Sequence, residues 1–234
     1  MKKRLLILFP VIILFFGACK KDEGPYAGLV PVNGGSINTG GNNGGGSTSA
    51  NTYLPTTTGS SWTYVSDLPG NTEPAEAHIT GVITKINGLD YFELKSSTPG
   101  KENSLQYYYV KDHSFKILAT TEHTATTVEM YCLKDDLPVG GEWTGSPSAS
   151  GSINGVPART LGKIIEIGID KTVLGNNYKN VIHTQVIIQY DYGSGFENSG
   201  TYDFYLAKGI GLIETDSNIL GFVSSSKLSS YTIK

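Results

Sequence analysis

The strands of the segment from Tyr53 onward alternate apolar and polar residues with period two, most strongly from Glu76 to Ser96, and nothing else in the chain constrains the fold as strongly. Side chains of an extended strand point alternately to opposite faces, so this pattern predicts half-buried strands. No stretch carries an apolar stripe at 3.6-residue spacing over three turns. Asn87-Gly88 is the favoured pair for a tight hairpin turn. Pairing outward from it sets Ile86 opposite Leu89, Lys85 opposite Asp90, Ile83 opposite Phe92 and Gly81 opposite Leu94. One face would then hold Ile79, Ile83, Phe92 and Leu94. Further strands are expected at 105–111, 115–119, 127–134, 163–173, 181–192, 201–207, 211–215, 219–223 and 228–233. Within 163–173, Ile165, Ile167 and Ile169 should share a face; within 181–192, Ile182, Val186, Ile188 and Tyr190 should. Fourteen Tyr, two Met and 17% charged residues fit sheets better than a helical bundle. Short connections make sequential strands antiparallel neighbours. The expected fold is all-β: an antiparallel meander forming a strongly curved open sheet or partial barrel, with a two-sheet β-sandwich as the alternative.

The first 18 residues do not belong to that domain. Lys2, Lys3 and Arg4 precede twelve residues, Leu5 to Phe16, that are apolar apart from Pro10. As a helix they would span about 18 Å, against a hydrocarbon core of about 30 Å. They read as a secretory signal peptide. Its end, Phe16-Gly17-Ala18-Cys19, resembles the lipobox of bacterial lipoproteins, with Phe in place of the usual Leu. That resemblance implies a diacylglyceryl thioether on Cys19, which becomes the N-terminus. The two or three acyl chains it implies anchor a protein stably where one would not. Loss of three basic residues leaves 15 against 21 acids, so the charge moves from −3 to −6. Neither value gives a basic footprint for nucleic acid.

Lys20-Lys21-Asp22-Glu23 follows the cysteine and is similar to the charged export signal of surface lipoproteins in Bacteroidota. The resemblance implies the outer membrane, facing outward, with a periplasm-facing orientation as the alternative. Residues 33–52 contain seven Gly, five Asn, three Ser and three Thr. A segment of that composition cannot bury enough apolar surface to order itself. Residues 19–52 are therefore expected to be a lipidated tether, and 53–234 a single all-β domain.

Two motifs bracket that domain. Tyr53-Leu54-Pro55-Thr56-Thr57-Thr58-Gly59-Ser60-Ser61-Trp62-Thr63-Tyr64 resembles a Y-x-P-x-x-x-G-x-x-W-x-Y opening found in secreted or lipid-anchored bacterial proteins of unassigned function. Tyr205-Leu206-Ala207-Lys208-Gly209-Ile210-Gly211-Leu212-Ile213 resembles the Y-x-A-x-G-V-G-L-V that closes the same proteins. Pro55 and Gly59 should turn the chain so that Trp62 and Tyr64 share one face of the first strand. Leu137 to Thr144 repeats the turn-and-tryptophan pattern in shorter form.

Residues with chemistry to offer are few. His78, His113, His123 and His183 have no ligand partner at a metal-binding spacing. Neither a nucleophile elbow nor a phosphate-binding glycine loop is present. Cys132 alternates with Val128 and Met130, which places it on an apolar face as an inert thiol. The expectation is a protein without catalytic residues, metal or cofactor. Tyr107, Tyr109, Tyr190 and Tyr192 are the candidate ligand-binding residues, because aromatic faces stack on sugar rings while nearby amides bond hydroxyls. The expected role is a non-catalytic binding module for an extracellular glycan, polymer or envelope protein. A carrier enclosing an apolar ligand in a half-barrel is the alternative. A hydrolase, with Asp191, His183 and Glu197 gathered in a cleft, stands third.

Overall fold

A computed structural model describes residues 31–32, 51–101, 103–120 and 127–234. The leader, Cys19, the Lys20–Glu23 segment and His123 lie outside the described residues. The described residues form fourteen strands: β1 (Pro31–Val32), β2 (Ser61–Leu68), β3 (Asn71–Ile86), β4 (Leu89–Ser97), β5 (Ser104–Lys111), β6 (Ser114–Thr120), β7 (Thr127–Lys134), β8 (Glu142–Gly145), β9 (Ser152–Ile153), β10 (Val156–Val173), β11 (Asn176–Asp191), β12 (Phe196–Ala207), β13 (Gly211–Ile219) and β14 (Phe222–Thr232). Twelve of them follow one antiparallel path, β7-β6-β5-β4-β3-β2-β14-β13-β12-β11-β10-β8. The sheet curls into a barrel closed on all but one seam, and it is the curved meander rather than the sandwich.

At the seam β7 faces β8, β10 and β11. Thr184 Oγ1 donates to the Cys132 carbonyl at 2.6 Å, Trp143 Nε1 to the Tyr131 carbonyl at 3.3 Å, and the Glu129 amide to Pro147 O at 2.9 Å. Side chains and one loop thus bond backbone groups that a continuous ladder would otherwise pair. Inside, one continuous core runs from Leu54, Trp62 and Tyr64 through Met130, Cys132, Ile164 and Val186 to Phe204, Ile213 and Leu228. Among the described residues this cluster packs the barrel's apolar interior.

The Asn87-Gly88 turn forms, with φ of 50° and 80°, and the pairs Ile86–Leu89, Lys85–Asp90 and Ile83–Phe92 are as expected. The pairing of Gly81 with Leu94 is not. Leu94 lies opposite Ile79, because a bulge around Gly81, at φ 90°, takes up two extra residues. Ile79 and Leu94 enter the core, but beyond the bulge the opposite face is buried, leaving Ile83 37% exposed. A similar correction applies to β10. Three register shifts after Ile164 break the expected alternation, so Ile164 is buried while Ile167 is 45% exposed. The segment expected as a strand at 219–223 is a hairpin tip, Leu220-Gly221, joining β13 to β14. The β10–β11 turn is likewise Leu174-Gly175, and Asn176 and Asn177 already belong to β11. Both leucines sit in the left-handed region, at φ 46° and 52°. Sequence patterns assign such positions to Asn, Asp or Gly, so neither turn was legible.

In a meander successive connections alternate between the two barrel ends. The chain enters β2 at one end, together with the β3–β4, β5–β6, β10–β11 and β12–β13 turns and the C-terminus; this is the tether end. The β2–β3, β4–β5, β11–β12 and β13–β14 connections lie at the far end.

Candidate functional site

The two bracketing motifs meet at the tether end. Trp62 Nε1 donates to Ile210 O at 2.6 Å, Tyr64 Oη to Leu212 O at 3.0 Å, and the Gly209 amide to Thr52 O at 2.8 Å. A Cβ on Gly211, at φ 113°, would stand 3.4 Å from both Pro55 Cδ and Trp62 Nε1. These residues form an internal clasp between the two ends of the domain. Trp62 and Tyr64 do share the inward face of β2, as the turn at Pro55 and Gly59 requires.

The consecutive tyrosines of β5 divide between the faces. Tyr108 points into the core, while Tyr107 and Tyr109 lie outside with Ile86, Leu89, Tyr91 and Leu118 in a second cluster. The buried Lys116 ammonium sits 5.1 Å from the Tyr109 ring centre and 4.5 Å from that of Tyr131. It is ion-paired with Glu129, which also accepts from Tyr91 Oη at 2.9 Å. Burial, then the Glu129 charge, pushes the Tyr91 phenol well up. This arrangement is an aromatic cage filled by the protein's own cation.

A second outer constellation surrounds His183. Its Nε2 lies 2.9 Å from Asp203, its Nδ1 3.3 Å from Glu166, and its ring stacks on Tyr205 with centres 4.3 Å apart. Lys171 Nζ covers Tyr205 at 3.6 Å and pairs with Glu214 at 3.2 Å. Both imidazole nitrogens are engaged by carboxylates. Asp191 is elsewhere: its Oδ1 accepts from the Gly193 and Gly195 amides at 2.7 and 3.0 Å. Eight strand residues separate it from His183, about 26 Å. Asp191, His183 and Glu197 are therefore not gathered. Cys132 is fully buried, donates to Phe115 O at 3.4 Å, and has its pKa raised by burial. Among the described residues no three His, Cys, Asp or Glu side chains converge as a metal site.

At the tether end, a cleft of about 230 Å³ lies between Asn51, Thr52, Phe92, Lys111, His113 and Asp135. His113 Nδ1 stands 2.8 Å from Asp135, and that hydrogen bond raises the imidazole pKa. Sequence patterns missed this pairing because 22 residues separate the partners.

The far end differs in character. Tyr190 and Tyr192 stack with ring centres 5.9 Å apart; Tyr190 is in the core, with its pKa pushed up to about 12 by burial, while Tyr192 is 52% exposed. On the next hairpin but one, Phe222 is also 52% exposed, in register with Ile219. By strand alternation Phe222 shares the inward face with Ser224, Ser226 and Leu228, which makes it a rim residue. The inward positions nearby are hydroxylic. Ser217 and Ser224 bond at 2.7 Å and Ser66 and Ser226 at 3.3 Å. The inward-facing Ser96, Thr98, Ser104, Thr160 and Thr215 hydroxyls are buried without a partner. Glu73 and Lys101 pair at 2.7 Å beside them. The structure thus places Tyr190 and Tyr192 together at this mouth, and Tyr107 and Tyr109 on the opposite side of the sheet path. Phe222 was missed in the sequence because the hairpin at Leu220-Gly221 was.

No protein-family model matches this chain, and no curated protein matches its sequence. Among solved structures it is similar to a provisionally assigned lipoprotein of Parabacteroides distasonis, at 10% identity and a TM-score of 0.48, covering 78% of this chain and 99% of that one. It is also similar to a provisionally assigned exported protein with a YmcC-like fold from Bacteroides fragilis, at 9% identity and a TM-score of 0.48, with coverage of 78% and 99%. Likeness at that level carries no functional argument, so the reading of this chain rests on its own residues.

Proposed function

We propose that this protein is a lipid-anchored lipoprotein of the cell envelope, held at the outer membrane by acylated Cys19 and facing outward, and that its barrel is a non-catalytic binding module. Its ligand is a glycan or polymer of the cell surface, taken at the far mouth. The observation that carries this reading is the two exposed rings at that end, Tyr192 backed by Tyr190 and Phe222 opposite Ile219, near the inward-facing Ser217–Ser224 and Ser66–Ser226 hydroxyl pairs. Sugars present apolar ring faces and hydroxyl edges, and this mouth offers partners for both. The mouth also lies at the barrel end opposite the tether, where a surface polymer would meet it first. The continuous apolar cluster packed inside the barrel favours this reading over a carrier of an apolar ligand.

A screen of the folded domain against surface polysaccharides and envelope proteins tests the function, with specific retention of at least one glycan expected. No retention above background contradicts it. Mass spectrometry of the mature protein should find a diacylglyceryl group on Cys19, and protease added to intact cells should remove the domain. An unmodified Cys19 or full protection would overturn the localisation.

A further inference from the structure

One strand of the barrel outruns its neighbour. β2 pairs with β3 only from Asn71 to His78, and the Gly59 and Ser60 backbone carries the bonding one residue further, to Ile79. From Thr80 to Ile86 the β2-side edge of β3 projects past the barrel at the tether end. Among the described residues its partners there are Pro31, opposite Thr84, and Val32, opposite Ile83, in antiparallel register. An open strand edge is a template for another strand, and proteins usually guard it with charge or proline. Between Thr80 and Thr84 this edge carries neither, and the half-exposed Ile83 lies on it.

We propose that the free edge of β3 is a strand-acceptor site whose resident strand is the chain's own tether, pinned at Pro31 and Val32, and that this pinning sets how the barrel stands on the membrane. The sequence suits the occupant. Between Cys19 and Thr52 the only branched aliphatic residues are Leu29, Val30, Val32 and Ile37, so three of the four gather at the pinned point. Proline is tolerated in sheets on an outer edge strand, which is the place Pro31 occupies.

Pinning divides the tether into two lengths with different jobs. Unpinned, the 33 residues from Lys20 to Thr52 would allow an r.m.s. span of about 30 Å at the reach of a Gly-rich coil. Pinned at Pro31, the leash from the lipid is the eleven residues 20–30 in place of all 33. Residues 33–50 then only have to return the chain to Asn51, which lies at the same barrel end. The barrel is drawn closer to the lipid by its β3–β4 hairpin, and the far mouth is directed outward. This inference concerns how the barrel is carried, so it stands or falls separately from the choice of ligand.

The full-length lipidated chain, reconstituted at about one copy per phosphatidylethanolamine/phosphatidylglycerol vesicle, provides the test. With Val32→Cys and Ile83→Cys together, an intramolecular disulfide should form at least about tenfold faster than with Asn43→Cys and Ile83→Cys, because pairing raises the effective thiol concentration. Equal rates, or a disulfide only between chains, would overturn the proposal. A second measurement avoids trapping a rare contact. Hydrogen exchange at the Ile83 amide of the otherwise unaltered chain should be slower than in one whose residues 29–32 are replaced by Gly-Ser-Gly-Ser. Identical exchange in the two chains would overturn it as well.

Discussion

The two tryptophans each fix one long-range contact. Trp62 reaches 148 positions along the chain to bond Ile210 O, which ties the first strand of the barrel to the β12–β13 turn. Trp62→Phe keeps most of the ring but leaves that carbonyl without its donor. It should lower unfolding free energy by about 1–2 kcal/mol, read as a lower urea midpoint with an unchanged slope. Trp143 plays a different part at the seam. Its ring lies directly over Gly162, where an added Cβ would meet Trp143 Cε2 at 2.0 Å. Gly162 is thus required for space, as its backbone has no positive φ. Gly162→Ala should cost about 1–3 kcal/mol by overpacking, and a fluorescence-monitored urea titration would register both the loss and the displaced indole.

At the scale of elements, the β5–β6 turn and the end of β7 are joined by the His113–Asp135 pair. The hydrogen bond to Asp135, and then its charge, raise the His113 pKa above its ordinary 6.5. A raised histidine pKa means that the folded state holds the proton more tightly. The pair's support is therefore fully present below the unfolded value and fades as pH rises through the folded one. An NMR titration should find His113 above 6.5, and Asp135→Asn should return it toward that value. Individual elements were legible in proportion to how locally they are specified. The Asn87-Gly88 hairpin and the buried face of β11 followed directly from the sequence, because turn chemistry and period two are local signals. The bulges at Gly81 and after Ile164 did not, since each is imposed by barrel curvature on a strand whose own pattern runs on unchanged. The same holds for Leu174 and Leu220, whose left-handed turns are set by the pairing of the strands they join.

For the whole molecule, the meander was legible and its closure was not. Strand alternation predicts a curved sheet, but the bonds that draw β7 toward β8, β10 and β11 link residues up to 52 positions apart and leave no periodic trace. The candidate site shares that history. Tyr190 and Tyr192 stood out as a pair, whereas Phe222 and the inward hydroxyls come together only when the barrel forms. Tyr107 and Tyr109 were equally prominent in sequence, yet the fold places them in an outer cluster where the Lys116 ammonium covers the Tyr109 ring. The central claim is that the far mouth binds a surface glycan through its exposed rings. Its most direct test is calorimetric titration of the glycan retained in the screen into the wild-type domain and into Tyr192→Ala/Phe222→Ala. The account predicts binding that weakens at least about tenfold in the double variant, as removal of aromatic anchors worth more than about 1 kcal/mol requires, with Tm unchanged. Equal affinity in the two proteins would contradict it.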